Sequence, residues 1–260
     1  MIETPAIFIG YDPREDEAYQ VCVASIIRHS RFYTPPPIIA LDQKVLRTQG
    51  AYWRPQKVTP VYDRFLTEAL GFGSPVGVQH RDLLDGRPFS TEFAFTRFLV
   101  PYLCGYEGRA IYCDCDFMFR ANVLDAMSVD LKGAAIAVVK HVYEPVEALK
   151  MGGVKQAAYP RKNWSSFIVW DCGHSANKRL GLEQVNSWTG RELHRFGWLR
   201  DRDIEPLDRK WNWLAGHSDD IAHPGPAAVH WTSGGPWLSD YRDAPYAEEY
   251  RTYLEEKSDG

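Results

Sequence analysis

The sequence predicts an α/β fold in which a mostly parallel central sheet is flanked by helices. Its opening reads as strand, helix and strand, an order that needs a crossover connection and favours parallel pairing. Further short apolar runs follow along the chain and read as buried strands. The 260 residues, 45% of them hydrophobic, suffice for one sizeable core. We therefore expect a single domain over residues 1–245 and a C-terminal helical arm over 246–260.

The first strand is predicted at 6–10, an apolar run that ends at Gly10. Asp12 suits the N-cap and Pro13 the first position of the helix that follows, whose apolar residues recur at helical spacing as far as His29. Three prolines then break the chain before a second strand at 38–41. Ligands of parallel sheets bind beyond the carboxyl ends of the strands, which makes Gly10, Tyr11 and Asp12 candidate binding residues.

The middle of the chain gives weaker signals. Between Arg47 and Asp85 the pattern is mixed and rich in glycine and proline, which predicts loops and one weak helix over 63–70. Residues 91–103 predict a longer helix, although Pro101 conflicts with a helix interior.

The remaining elements alternate between buried strands and short helices. Strands are predicted at 110–113, 134–139, 167–170 and 227–231. Helices are predicted at 123–127, where Asn122 suits the N-cap, and at 246–257.

Composition excludes several classes of function. The net charge of −4 argues against binding along a nucleic-acid backbone, which requires a basic excess. No apolar run approaches the ~20 residues that span a bilayer, and the N-terminus lacks the pattern of a signal peptide, so the chain is predicted to be cytoplasmic. Five cysteines without a C-x-x-C pair predict reduced, buried thiols.

The strongest chemical signal is Asp114-Cys115-Asp116, which directly follows the predicted strand 110–113. Two carboxylates this close repel each other, and a hard divalent cation such as Mn²⁺ or Mg²⁺ resolves the conflict. A D-x-D triplet alone is weak evidence, because such a triplet is more often two solvated turn residues than a cation site. Here apolar residues, 117–119, also follow it, which favours a cation site over a solvated turn.

Four segments of the sequence, including the D-x-D triplet, resemble motifs of glycosyltransferase family 8 and its bacterial relatives, which have the GT-A fold. Segment 111–117 resembles the family's D-x-D strand. Segment 7–12 resembles its first strand and uridine-binding turn, and 95–101 resembles the helix whose arginine faces the donor. Segment 230–237 resembles the late H-x-x-G-x-x-K-P-W motif. The four segments occur in the family's order and cover most of residues 6–240.

The resemblance implies a retaining transferase that moves a hexosyl group from a nucleotide-sugar, UDP-hexose in most of the family, to a glycan, a lipid-linked glycan or a protein. It implies Mn²⁺ or Mg²⁺ as the cofactor. The implied metal ligands are Asp114, Asp116 and His230, and the implied donor-binding residues are Gly10, Tyr11, Asp12, Arg97, Asp114, Gly234 and Gly235. Independently, His230 follows a predicted strand, and Gly234-Gly235 allows backbone N–H groups to approach phosphate oxygens.

The sequence departs from the family at two places. Gly235 stands where the family has a lysine that contacts the diphosphate, and Arg97, Lys140 or Lys210 are candidates to replace that charge. Segment 163–171 lies where the family has an Asn-x-Gly-Val pattern but does not match that pattern. Its small polar residues could face the donor sugar or the acceptor, or the segment could be a core strand.

From these segments we expect Asn163, Ser165 and Lys140 to carry the catalytic role. The aromatic and basic segment 209–213 fits either an acceptor site or a packed surface. No carboxylate stands out as a nucleophile, which favours front-face displacement over a covalent glycosyl-enzyme.

Two other classes of function stay open. An Asp-nucleophile phosphatase also carries a D-x-D after a strand, but usually on its first strand. A non-catalytic nucleotide-sugar or glycan-binding protein is the second alternative, kept open by Gly235.

Overall fold

The computed structural model describes residues 5–30, 36–62, 75–141, 149–150, 154–155, 161, 163–219 and 221–258. The strands are β1 Ala6–Gly10, β2 Ile38–Leu41, β3 Gln56–Tyr62, β4 Pro75–Asp82, β5 Pro88–Phe89, β6 Arg109–Cys113, β7 Phe117–Phe119, β8 Ile136–Val138, β9 Leu149–Lys150, β10 Val154–Lys155, β11 Phe167–Asp171, β12 Ile204–Pro206, β13 Trp213–Leu214 and β14 Ala228–His230. The α-helices are α1 Asp16–His29, α2 Gln43–Thr48, α3 Val100–Leu103, α4 Val123–Met127, α5 Leu182–Ser187, α6 Gly190–His194 and α7 Ala247–Ser258.

The core of the fold is a six-stranded sheet in the order β12, β8, β11, β6, β1, β2. The pairs β1–β2, β1–β6 and β8–β12 are parallel, and β11 runs antiparallel to both of its neighbours. The predicted α/β fold with a mostly parallel central sheet is therefore confirmed. Apolar clusters lie on both faces, one including Phe8 and Trp170 and the other including Ile9 and Phe167.

A smaller sheet of β13, β14 and β7 lies beside the central one. In it β14 pairs antiparallel with β7, and His230 lies opposite Phe117. Helix α7 contacts α1 and packs its buried Tyr250 and Tyr253 into a third apolar cluster with Trp231. The division into a domain and a C-terminal arm stays a prediction.

Most of the elements predicted from local signals are present, whereas short elements such as α2, α5, α6, β12 and β13 were not predicted. Strands β1 and β2 have the predicted bounds, and Asn122 caps α4 by accepting a hydrogen bond from the Leu124 backbone N–H. Asp12 also caps as expected, although the first turn after it, Pro13–Glu15, is a 3₁₀ turn that precedes α1. The predicted strand 134–139 is shorter in the structure, because only Ile136–Val138 has partners in the sheet.

Two predictions for the middle of the chain were wrong. The segment predicted as loops contains the antiparallel hairpin of β3 and β4, in which Pro60 lies opposite Val78. The predicted helix 63–70 lies outside the described residues. Residues 91–103 do not form one helix but a turn, a 3₁₀ segment Thr96–Leu99 and α3. Pro101 has no N–H to continue an earlier helix, so it occupies the first turn of α3 instead.

All five cysteines are free and buried, as predicted. Among the described residues, every helix is too short or too polar to span a bilayer.

Candidate active site

The candidate site lies where several strand ends meet. Asp114 follows β6, Asp116 precedes β7, and His230 is the last residue of β14. The pairing of His230 with Phe117 brings the imidazole next to Asp116. One ligand atom from each of Asp114, Asp116 and His230 lies within 4.8 Å of the other two. The structure therefore brings the three predicted metal ligands together.

Asp116 and His230 are joined by side chain and backbone. The His230 Nε2 lies 3.3 Å from the Asp116 Oδ1, and the Trp231 backbone N–H donates to the Asp116 carbonyl over 3.0 Å. The His230 ring stacks on Phe117 with centroids 4.4 Å apart. These contacts hold the imidazole against the carboxylate in a buried position.

Asp114 lies deeper in the protein and has three polar partners. The Tyr112 hydroxyl donates to its Oδ1 over 2.6 Å, the Arg97 Nη2 lies 2.9 Å from the same oxygen, and its backbone N–H donates to the Ser166 carbonyl. Burial raises the pKa of Asp114, the Arg97 charge opposes that shift, and the charge of Asp116 adds to it. A positive charge beside these two carboxylates would therefore stabilise their ionised forms.

Arg97 links Asp114 to Ser165. Its Nη1 donates to the Ser165 carbonyl over 2.8 Å, and the Ser165 hydroxyl lies 2.9 Å from the His194 Nδ1. Burial lowers the pKa of His194 well below its ordinary value, so this imidazole is neutral at pH 7. Arg97 therefore contacts the candidate metal ligand Asp114, and Ser165 is joined to Asp114 through Arg97. The donor-binding role of Arg97 and the catalytic role of Ser165 stay predictions.

The predicted uridine-binding turn lies next to this cluster but is engaged by the protein itself. Gly10 is the last residue of β1, one position after the pair of Ile9 with Cys113, and a Cβ atom on it would lie 2.5 Å from the Tyr112 hydroxyl. The Tyr11 hydroxyl donates to Asp16 over 2.9 Å, and this hydrogen bond and burial raise its pKa to about 12.

Asp12 is fully buried and bonded to the chain around it. Its carboxylate accepts hydrogen bonds from the Arg14 guanidinium and from the Arg14 and Glu92 backbone N–H groups. Burial alone would raise the pKa of Asp12, but Arg14 and the two N–H groups lower it below its ordinary value. The described contacts of Asp12 therefore account for its position without a ligand.

Gly234 and Gly235 form a turn after β14. Gly234 has a φ of 126°, and a Cβ there would approach Tyr241 to 2.8 Å. A Cβ at Gly235 would overlap the ring of Trp237. Both glycines are therefore required by the packing of this turn, whatever they do for a phosphate.

The three residues expected to be catalytic are placed differently. Ser165 is buried beside Arg97, whereas Asn163 has a left-handed φ of 63° and its carbonyl accepts from the Ser166 hydroxyl. The Lys140 Nζ donates to the Ile204 carbonyl over 2.9 Å and lies 5.7 Å from the centroid of the Trp164 ring. None of the described contacts of Lys140 is to the three candidate metal ligands.

The residues of segment 209–213 differ in their exposure to solvent. Trp211, Asn212 and Trp213 are buried and Arg209 and Lys210 are exposed, so the segment does not offer its aromatic residues to an acceptor. Asn212 instead contacts His230: the Asn212 Oδ1 lies 2.8 Å from the His230 Nδ1. Sequence reasoning missed this contact, because the two residues are 18 positions apart and no spacing rule joins them.

Comparison with solved structures defines the fold as GT-A. The galactosyltransferase LgtC, solved with donor and acceptor sugar analogues, superposes with a TM-score of 0.53 at 11% identity, covering 95% of this chain and 94% of LgtC. The glycosyltransferase GlyE of Streptococcus pneumoniae gives 0.56 at 15% identity, covering 95% of this chain and 59% of GlyE. The bifunctional glycosyltransferase WbbM gives 0.55 at 16% identity, covering 96% of this chain and 49% of WbbM. The chain thus spans about half of WbbM and under two thirds of GlyE.

The sequence comparison assigns the chain to a family. It is 40% identical over 253 residues to Protein CDI of Arabidopsis thaliana, covering 96% of this chain and 86% of that protein. The chain therefore belongs to the same family as Protein CDI. No protein-family model matches it.

Proposed function

We propose that this protein is a metal-dependent, retaining glycosyltransferase that moves a hexosyl group from UDP-hexose to a hydroxyl of a glycan or lipid-linked acceptor. One observation carries the proposal. Asp114, Asp116 and His230 converge at strand ends of a GT-A fold, with one ligand atom of each within 4.8 Å of the others. The fold supports a nucleotide-sugar substrate, and the cluster supports a cation beside its diphosphate.

The residues present fit a divalent cation. Two carboxylates and one imidazole form a donor set that suits Mn²⁺ and, through its oxygens, Mg²⁺. The His230 Nδ1 faces Asn212, which leaves its Nε2 directed at Asp116. When bound, the cation neutralises charge on the diphosphate leaving group.

The surrounding side chains would orient the donor. Arg97 balances the charge of Asp114 and holds the Ser165 carbonyl, which keeps the 3₁₀ turn Trp164–Ser166 against the D-x-D loop. Because these contacts are buried, their positions are set before a substrate arrives, and such preorganisation is the main source of electrostatic catalysis.

We further propose front-face displacement, in which the leaving diphosphate oxygen takes the proton of the acceptor hydroxyl. Both carboxylates of the described cluster, Asp114 and Asp116, belong to the candidate metal site, which leaves neither as a separate nucleophile. A glycosyl group trapped on a side chain of the protein would contradict this mechanism.

A thermal-shift screen of nucleotide-sugars with and without Mn²⁺ tests the proposal. A ligand at about 100 times its Kd stabilises the folded protein by ~2.7 kcal/mol. We expect the largest shift from a UDP-hexose with Mn²⁺, and expect Asp116→Ala to lose the Mn²⁺-dependent part. Asp243→Ala, at an exposed carboxylate, is the matched control and should keep it. An unchanged shift in Asp116→Ala would show that the metal assignment is wrong.

A second candidate is a protein that binds the donor without transferring it. Gly235 favours this candidate, because it stands where the family has a cationic side chain and packs against Trp237 instead. Slow Mn²⁺-dependent hydrolysis of a bound UDP-hexose would exclude it, whereas binding of several donors without hydrolysis or transfer would support it.

A further inference from the structure

Asn212 is the buried group behind the candidate metal site. It is fully buried at the end of the 3₁₀ turn Arg209–Asn212, directly before β13. Strand β13 pairs with β14, and Leu214 lies opposite His230. Asn212 is therefore held by the sheet that also holds His230, and it lies too deep to contact a substrate.

The orientation of the Asn212 amide follows from its neighbours. Its Nδ2 lies 3.3 Å from the Asn163 carbonyl oxygen and 2.9 Å from the Ser166 Oγ. The Ser166 hydroxyl donates to the same Asn163 carbonyl over 2.7 Å, so the Ser166 oxygen is free to accept from Asn212. A carbonyl can only accept, and a flipped amide would place two oxygens against each other. The nitrogen side of Asn212 must face Asn163, and its oxygen side must face His230.

This orientation determines the state of His230. An amide oxygen can only accept, so the His230 Nδ1 at 2.8 Å carries the proton. In neutral imidazole the lone pair is then on Nε2, which lies 3.3 Å from the Asp116 Oδ1. The Phe117 ring, stacked at 4.4 Å, restrains the plane of the imidazole.

We propose that Asn212 is a positioning residue that holds His230 in its Nδ1-protonated tautomer and thereby sets the affinity of the Asp114–Asp116–His230 cluster for a divalent cation. The inference rests on the proposed function, because it assigns a ligand role to His230. It also couples that role to the turn containing Asn163 and Ser166, through two hydrogen bonds from the Asn212 nitrogen. Loss of a hydrogen-bond partner of a metal ligand typically weakens metal affinity by about 10- to 100-fold.

The first test is the tautomer, which needs neither a metal nor a substrate. The protein is labelled with ¹⁵N histidine and measured free of metal at mildly alkaline pH, where imidazoles are neutral. The signals of His230 are assigned by their absence in His230→Phe. We expect a protonated Nδ1 in the wild type, because the Asn212 oxygen beside it can only accept. An unprotonated Nδ1 would overturn the proposal even if every Asn212 variant failed to fold.

The second test is the affinity for Mn²⁺ alone, measured from the electron paramagnetic resonance signal of free Mn²⁺. We expect Asn212→Ala to weaken binding about 10- to 100-fold. Asn212→Asp keeps an acceptor for the His230 Nδ1 but loses the donor to the Asn163 carbonyl, so we expect it to recover only part of that loss. Equal affinity in the wild type and Asn212→Ala would overturn the proposal. If the wild type itself bound no Mn²⁺, the proposed function would fail instead, which separates the two outcomes.

Discussion

The two ends of the candidate donor site are built in opposite ways. At one end Asp114, Asp116 and His230 converge, and their ligand atoms lie within 4.8 Å of one another. At the other end Asp12 is bonded to Arg14 and Glu92, and Gly10 packs against Tyr112. The first end brings two carboxylates and an imidazole together, whereas at the second end the described polar groups of Asp12 are bonded within the turn itself. The difference shows that a residue in a binding motif can be explained by its role in the fold, without any contact to a ligand.

The Arg97–Asp114 pair should show the largest effect, because removing one partner leaves a buried charge. We expect Arg97→Met to lower the free energy of unfolding by about 3–5 kcal/mol in denaturant titrations. Mn²⁺ should restore part of that loss, since a cation would replace the missing charge beside Asp114. Lys132→Met, which breaks an exposed pair with Glu205, is the control and should have little effect. Equal losses in both variants would contradict the charge argument.

Gly10 tests the other end of the site by packing alone. A Cβ there would lie 2.5 Å from the Tyr112 hydroxyl and 2.6 Å from the Phe93 ring. Gly10→Ala should therefore destabilise the protein by about 1–3 kcal/mol, with no recovery on adding Mn²⁺. Gly77→Ala, in a strand with open space around the added atom, is the matched control. Unfolding followed by circular dichroism measures both, and a silent Gly10→Ala would show that this close approach is not required.

Asp12 should give a smaller, pH-dependent effect. Its folded pKa is lower than its unfolded pKa, so it contributes stability above the unfolded value of about 4, and this contribution is lost as the pH falls through the folded value. Asp12→Asn should cost about 1 kcal/mol near neutral pH. The gap between the two proteins should close in acid. A gap of constant size from neutral pH to acid would show that the ionised carboxylate is not what stabilises this turn.

Signals that are local in sequence were enough to predict much of the fold. The apolar run before Gly10 predicted β1, and Asn122 correctly marked the start of α4. The β3–β4 hairpin was missed because Pro60 and Gly77 weaken the strand pattern of its two halves. The helix expected over 91–103 was wrong because regular apolar spacing does not show that a new helix begins at Val100, with Pro101 in its first turn.

In the candidate site, too, some residues carry a local sequence signal and others do not. Asp114 and Asp116 stand out as a pair that follows an apolar strand, and His230 stands out through its motif. Asn212 carries no such signal, because its contact with His230 depends on how β13 and β14 pair. The role proposed for Asn212 depends on hydrogen bonds to Asn163 and Ser166, which are distant from it in sequence.

The most direct test of the cation cluster is a calorimetric titration of UDP into metal-free protein and into protein supplied with Mn²⁺. The cluster would place a cation between the protein and the diphosphate, so UDP should bind with Mn²⁺ and bind far more weakly without it. Asp116→Ala should behave in Mn²⁺ as the wild type does in its absence, and Asp243→Ala should behave as the wild type. Equal UDP affinity with and without Mn²⁺ would contradict the central claim that Asp114, Asp116 and His230 hold a cation for the donor.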